Sequence, residues 1–483
     1  MWVKALDVVL NKLIAQGANL STVVGISGSA QQHGTVYWSQ HGVQILQKLD
    51  SKRLLQEQLD GAAFSVSNSP IWMNGSTEKQ CAEMELAAGG RDRMVTTTGS
   101  KCYPRFSGPQ IRKIYQTQMT AYEKTERISL ISSFLASLLL GNVAPIDYAD
   151  GSGMNLLDIQ TKNWSQECLD ACSPDLGRRL GKPVYTCSII GDIAPYYVQR
   201  YGFPTKCKIA AFTGDNPSAL SGMLVANNWL AISLGTSDTI MVAHTEPKKL
   251  HDGHVLCHPT DNDFMILLCF RNGSLVRDEL KRRYAGDSWK HFNELLEVTP
   301  CGNNGKIALH FHTLEIIPSA KGILKWECNL GNSKNKYKEV QRFTPDSHEI
   351  RALIEGQMLQ RKAVTAEIGF TFNNNTKILA TGGASVNKSI LQVISDVFNA
   401  PVYTQKTAEA ALYGAAFRAM YSVYLSSLNA SDKPENYHEY IGKHTINHLE
   451  QICTPYKNSS EIYSPMVERY KDMVKTLKAR QCS

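Results

Sequence analysis

Four short apolar runs in this chain each end in a turn built from glycine and small polar residues. Residues 21–27 (STVVGIS) enter GSAQQHG, and 208–213 (KIAAFT) end at Gly214-Asp215-Asn216. Residues 229–233 (WLAIS) feed LGTSDT, and 377–380 (KILA) end in TGGAS. Short apolar runs bounded by glycine read as buried strands, and the stretches between them read as helices, so an α/β fold is expected. In such folds ligands sit beyond the carboxyl ends of strands. The four turns are therefore the first places to look for chemistry.

The remaining pattern is coarser. Trp2, Val3, Leu6, Val9, Leu10, Leu13 and Ile14 form one face of an N-terminal helix that Gly17 ends. Residues 240–243 (IMVA) complete a hairpin with 229–233, and helices are expected over 385–398 and 407–421. Segments 245–264 and 320–345 are polar with weak pattern and read as surface excursions. Ser464-Pro465 is expected to open a last helix, since serine caps well and proline suits a first turn. Three regions follow: 1–208, 209–428, and a polar tail over 429–483 ending in an amphipathic helix.

Composition narrows the class. A 43% hydrophobic content allows a sizeable core and excludes a disordered chain. The net charge of +7 is scattered rather than clustered, so no nucleic-acid partner is expected. The most apolar stretch, Ile128 to Leu140, is shorter than the roughly 18 residues that cross a bilayer and reads as a buried helix, so no membrane partner is expected. The first residues lack the basic start and cleavage site of a signal peptide. The twelve cysteines show no metal-ligand spacing. Reduced thiols and a cytoplasmic location are expected, with no resident metal. Oligomeric state, monomer or homodimer, is not legible.

Each turn suits a piece of chemistry, and each has a plainer reading. In SLGTSDT (233–239), Gly235 allows close backbone approach, and Thr236 and Ser237 add hydroxyls to N–H groups that can wrap phosphate oxygens. The plainer reading is a β-turn; the Lys-Ser/Thr ending of a Walker A loop is missing. In LATGGASVN (379–387), two glycines precede a helix N-terminus that tolerates a nucleotide, or they only tighten a connection. Asp215 in FTGDN can take a proton from an attacking hydroxyl, or it can cap a helix. Gln32 and His33 in SGSAQQHG can read sugar hydroxyls, or they occupy a polar loop. Together the four imply phosphoryl transfer to a polyol.

The order of these motifs resembles that of the FGGY carbohydrate kinases, and within that family the chain is similar to the xylulose kinases of animal type. The stretches that carry the resemblance are GSAQQHGTVYW (28–38), SPIWMNGST (69–77), YPRFSGPQIRKIY (103–115), ERISLISSFLASLLLG (126–141), PIDYADGSGMNLLDI (145–159), FTGDNPSALSGM (212–223), SLGTSDT and ILATGGASVN. The resemblance implies two ribonuclease H-like lobes of the hexokinase and actin type with a cleft between them. It implies ATP-dependent phosphorylation of D-xylulose to D-xylulose 5-phosphate, with ATP and Mg2+. His33 and Arg105 would bind the sugar; Asp215 would be catalytic base and sugar ligand, with Asn216 beside it. Gly235, Thr236 and Ser237 would form a phosphate turn, and Gly383, Ala384 and Asn387 would contact the nucleotide. Trp289 would line the adenine side, although plain packing fits it equally.

Two departures stand out. Asn74 occupies a position where many members carry aspartate. Members also open with a strand hairpin whose Asp-x-Gly/Ser-Thr/Ser turn binds phosphate, and no such turn occurs in this sequence. The first lobe is therefore expected to be incomplete at its N-terminus and the chain to have little activity by itself. The alternatives are a sugar-binding pseudokinase and a sibling polyol or pentulose kinase of the same family.

Overall fold

The glycine turns do end strands, and the strands divide between two units. In the computed structural model, residues 1–225, 228–328, 337–405, 409–445 and 449–482 are described. The first unit comprises Met1–Leu224, His244–Met265 and Glu409–Ile446; the second comprises Val225–Ala243, Ile266–Ala408 and Asn447–Ser483. A single change of domain at 208 and a separate tail are thus not what the fold shows. The reason is packing. The helix Asp215–Met223 lies against Ala410–Ser427, which keeps both in the first unit.

In the first unit, Gly25–Ile26 pairs parallel with Lys208–Ala210, which also pairs antiparallel with Ile189–Asp192. Ser29–Ala30 pairs parallel with Thr213–Gly214, with Ala30 opposite Gly214. That register matters most for function. Two parallel strands end side by side, so the QQHG loop and Asp215 leave the sheet at the same end. Strand 21–27 is shorter than expected, because Leu20–Thr22 is a 3-10 turn capped by Asn19. The apolar run 128–140 is split: Thr125–Leu130 is a strand pairing with Thr35–Ser39, and Ile131–Leu140 is the buried helix. The N-terminal helix runs from Trp2 to Ala15. Trp38, Phe134, Tyr197 and Ile209 centre one apolar core, and Met84, Ile111, Leu130 and Leu156 another.

The segment 245–264 is not a surface excursion. Its strand His254–Cys257 is buried in the first unit, with Val255 N–H donating to Gly99 O (2.9 Å) and Cys257 N–H to Ser152 Oγ (3.1 Å).

The second unit holds a mixed sheet in the order Phe264–Phe270, Asp238–His244, Trp229–Leu234, Lys377–Thr381, Val402–Gln405, Leu449–Cys453. The expected hairpin is present, with Ser233 opposite Thr239, and Trp229–Leu234 runs parallel to Lys377–Thr381. The helix Ser347–Glu367 is buried along most of its length, and Lys388–Phe398 follows the Gly-Gly turn. Residues 320–345 also differ from expectation. Gly322–Cys328 pairs with Lys306–Phe311 and with Tyr337–Glu339, and it buries Leu324 and Trp326 beneath polar neighbours.

The last helix starts at Ser459, not at Ser464, so Pro465 lies inside it. A tertiary contact sets the start: the buried Asp396 accepts from Tyr456 N–H (2.8 Å) and Ser459 Oγ–H (3.0 Å). The polar stretch before it contains the helix Tyr437–His444 and the strand Leu449–Cys453.

The helix pair that carries Asp215 is held backbone to backbone. A Cβ on Gly414 would run into the Ser218 carbonyl, and one on Gly222 into the Ala410 carbonyl. Buried Arg418 braces the same pair, donating to Gly28 O (3.0 Å), Ser218 Oγ (3.1 Å) and Ala211 O (3.4 Å). Gly414→Ala should therefore cost about 1–3 kcal/mol, since a helix backbone cannot yield cheaply. Gly442→Ala, where a Cβ meets nothing within 4 Å, should be neutral or stabilising by up to about 1 kcal/mol. Urea unfolding midpoints of the two variants check this contrast.

Candidate active site

In the first unit the QQHG loop is held in a strained conformation. His33 has φ +72°, a region few side chains adopt, and its ring Nδ1–H donates to Gly153 O at 2.9 Å. A carbonyl can only accept, so Nδ1 carries the proton and Nε2 presents a lone pair. The ring stacks on Phe106 with centroids 4.3 Å apart, and Ser107 Oγ–H donates to His33 O (2.9 Å). Burial, then the Arg105 charge, bring the His33 pKa down to about 3, so the ring is neutral at ordinary pH.

Arg105 precedes the helix Ser107–Thr117, and its guanidinium lies over the rings of Tyr103 (4.9 Å) and Phe106 (5.4 Å). Its Nη2 donates to His254 Nε2 at 2.8 Å. His254 carried no sequence signal, because its surroundings looked like loop.

Asp215 begins its helix and is open to solvent on one side. Asn216 serves it twice, through its backbone N–H (2.9 Å) and through Nδ2–H (3.1 Å), both onto Oδ1. Asn216 Nδ2–H also reaches Gln32 Oε1 (3.0 Å), and Gln32 Nε2–H donates to Asp150 Oδ1 (3.4 Å). Asp150 further accepts from Ser132 Oγ–H at 2.5 Å. Asp147 accepts from Thr186 Oγ1–H (2.6 Å), Thr213 Oγ1–H (2.8 Å) and Ala149 N–H (3.0 Å). Protein packed around Asp215 raises its pKa, with the Asn216 and Gln32 donors working against the rise. Burial followed by the Asp147 charge pushes Asp150 well above the usual carboxylate range. The structure thus brings His33, Arg105, Asp215 and Asn216 into one unit, joined by Gln32, His254 and the Asp147–Asp150 pair.

Asn74 has a local job. Its Oδ1 accepts from Ser76 N–H (3.1 Å) and Ser76 Oγ–H (2.6 Å), closing a turn on itself.

In the second unit a pocket of about 680 Å3 is lined by Leu234, Gly235, Thr236, Ser274, Arg277, Asp278, Trp289, Asn293, Gly383, Ala384, Val386, Asn387 and Ile390. It gathers every residue expected on the nucleotide side except Ser237, which is not part of the lining. Gly382 presses the two turns together: its φ is +81°, and a Cβ there would lie 2.7 Å from Leu234 O. Asn387 caps the helix Lys388–Phe398 through Ile390 N–H (3.2 Å) and donates Nδ2–H to Asn293 Oδ1 (2.8 Å). Trp289 is 38% exposed, and Lys281 Nζ sits 4.8 Å from its ring.

The turn after Ser237 is anchored by a buried ion cluster. Asp238 is bound by Arg277 through both oxygens (2.8 and 2.9 Å) and by Arg361 at 2.9 Å. Arg277 also reaches Gly235 O (3.4 Å), and Ser274 N–H donates to the same oxygen (3.0 Å). Asp238 and the buried Glu315 both act on Arg361, so the cluster holds the turn's backbone in place on paired charges.

Among the described residues no three or more His, Cys, Asp or Glu groups gather to hold a metal. A magnesium ion carried on nucleotide phosphates needs only one or two protein carboxylates. Asp278 in the second unit's pocket and the accessible Asp215 in the first unit supply groups of that kind.

The N-terminal domain of the FGGY family of carbohydrate kinases matches residues 59–222, and its C-terminal domain matches 230–423. The chain belongs to that family and is a carbohydrate kinase. It is 46% identical to the xylulose kinase of Rattus norvegicus over 98% of this chain and 85% of the rat sequence. Identity to the Mus musculus xylulose kinase is 45%, over 97% of this chain and 82% of the mouse sequence. The ligand-bound xylulose kinase of Lactobacillus acidophilus has the same fold at a TM-score of 0.75 and 18% identity, covering 99% of this chain and 89% of that one. The Rhodospirillum rubrum xylulose kinase superposes at 0.77 and 14% identity, covering 99% and 89%.

Two measurements test the site's electrostatics. Asp238→Ala strands two buried guanidiniums and should cost about 3–5 kcal/mol in urea unfolding, with nucleotide affinity falling alongside. His33 should make stability depend on pH. Its folded pKa, about 3, lies below the ordinary 6.5. Above 6.5 neither state is protonated, and as pH falls toward 3 only the unfolded state takes up the proton. Stability from this group is therefore lost on acidification, by about 1.4 kcal/mol per pH unit. Between pH 6.5 and 5.5, where the unfolded group is only partly titrated, wild type should lose about 1 kcal/mol more than His33→Gln.

Proposed function

We propose that the chain transfers the γ-phosphoryl group of ATP, bound with Mg2+, to the terminal hydroxyl of D-xylulose, giving D-xylulose 5-phosphate and ADP. The observation that carries this reading is the placement of Asp215. A carboxylate with a raised pKa stands at the same end of two paired strands as the QQHG loop. A raised pKa makes it a better acceptor for a hydroxyl proton near neutral pH. The 46% identity to the rat xylulose kinase favours D-xylulose among polyols.

His33 Nε2 accepts from one sugar hydroxyl, and Arg105 donates to another sugar oxygen. Asn216 and Gln32 hold Asp215 in one rotamer, facing the hydroxyl that reacts. Asp215 takes that hydroxyl's proton as the oxygen attacks phosphorus in line. In the second unit Gly235, Thr236 and Ser237 receive phosphate oxygens, with Arg277 and Arg361 behind them. Gly383, Ala384 and Asn387 receive the nucleoside side, and Trp289 offers a ring face to the base. Magnesium supplies charge neutralisation on the phosphates, and Asp278 or Asp215 would hold its water shell.

No described helix is long and apolar enough to cross a membrane.

Binding and turnover are tested separately. Calorimetric titration of residues 1–483 should show D-xylulose and ADP binding, and D-xylulose should raise ADP release from Mg-ATP above that with D-ribulose or glycerol. Asp215→Asn should lower turnover by several orders of magnitude while sugar binding weakens but persists. An Asn variant of near-normal rate removes Asp215 from the base role. Binding of both ligands without turnover replaces a kinase by a sugar-binding pseudokinase.

A further inference from the structure

We infer that His254 is a positioning residue for sugar recognition, acting through Arg105; this rests on the reading of the first unit as the sugar site. Arg105 makes no ion pair among the described residues, and the nitrogen it meets is His254 Nε2 at 2.8 Å. A guanidinium can only donate, so Nε2 must carry the lone pair and Nδ1 the proton. That proton points to Ser100 Oγ at 3.1 Å. Ser100 is itself held: its carbonyl accepts from Thr98 Oγ1–H (3.0 Å) and Asn155 Nδ2–H (3.2 Å). The chain of donors fixes one tautomer, and only that tautomer can hold Arg105.

The ring is locked as well as oriented. His254 is 4% exposed and packs on the edge of Tyr103 (4.6 Å) and against Phe106 (5.1 Å), the rings Arg105 lies over. Its strand is pinned by Gly253 N–H to the Tyr103 hydroxyl (3.4 Å) and by Lys101 to Asp252 (2.8 Å). Burial, with the charges of Arg105 and Lys101, keeps its pKa well below the ordinary value, so the acceptor survives at working pH.

The choice of partner has a chemical consequence. A carboxylate in this place would fix Arg105 equally well but would neutralise it. A neutral imidazole fixes the guanidinium and leaves its charge for the lone pairs of a polyol or ketone oxygen.

Two polar substitutions separate the roles of the ring nitrogens. In His254→Gln the amide reaches as far as Nε2 and can still accept from Arg105. In His254→Asn it reaches only as far as Nδ1 and serves Ser100 alone. The Asn variant should bind D-xylulose at least about tenfold more weakly, and the Gln variant within about threefold of wild type. ADP affinity should stay unchanged in both. In an Arg105→Met background, adding His254→Asn should weaken sugar binding no further. The inference is overturned if the Asn variant binds sugar like wild type, if Gln is as poor as Asn, or if the Asn loss persists in full without Arg105. A wild-type chain that binds ADP but not D-xylulose overturns the sugar-site reading, and the inference falls with it.

Discussion

Asp147 is a carboxylate buried beyond the reach of solvent, and the first unit is arranged around satisfying it. An ion at that depth is affordable only with a full shell of donors. Thr213 supplies one, at the end of the strand whose next residues are Gly214 and Asp215. Thr186 supplies a second, and the backbone of the short helix Tyr148–Gly151 the rest. Satisfying one charge therefore fixes both the strand end that launches Asp215 and the turn that carries Asp150. Burial raises the pKa of Asp147 even so, and it raises that of Asp150 further, because the Asp147 charge sits beside it. Ser132 and Gln32 donate to Asp150, and the Gln32 contact links the pair to Asn216 and Asp215.

The second unit also organises a turn around buried charge. Asp238 is buried between two arginines just behind the turn formed by Gly235, Thr236 and Ser237, and Glu315 acts on one of them. One unit keeps a carboxylate of raised pKa beside its polar loop. The other pins its glycine turn on a buried arginine–carboxylate cluster.

The parts legible in the sequence are those with strong local signals. Glycine after an apolar run marked the four strand ends, and the hydroxyl-rich and Gly-Gly turns marked the pocket in the second unit. The parts that were not legible depend on distant partners. His254 sits in a four-residue strand inside polar sequence, and nothing local marks it as Arg105's partner. Asp147 and Asp150 look like ordinary loop acids until Thr186, Thr213 and Ser132 surround them. The start of the last helix is set by Asp396, sixty-odd residues away, against the local preference of Ser464-Pro465. Asn74 accepts in its own turn through Oδ1 as an aspartate could, so the turn gives no reason for asparagine there.

The interleaving of the chain between its two units sets an order of events during synthesis. A ribosome releases residues 1–224 first, yet the unit they belong to also needs His244–Met265 and Glu409–Ile446. Until the helix Ala410–Ser427 emerges, the glycine-lined face of Asp215–Met223 has no partner, and the carbonyls of Gly28 and Ala211 lack the Arg418 guanidinium. The N-terminal part of the nascent chain therefore cannot finish folding ahead of the rest, as the leading domain of a chain usually does. It must wait, incompletely packed, until residues 410–427 have been made, and the interval in which a chaperone can hold it is written into the topology.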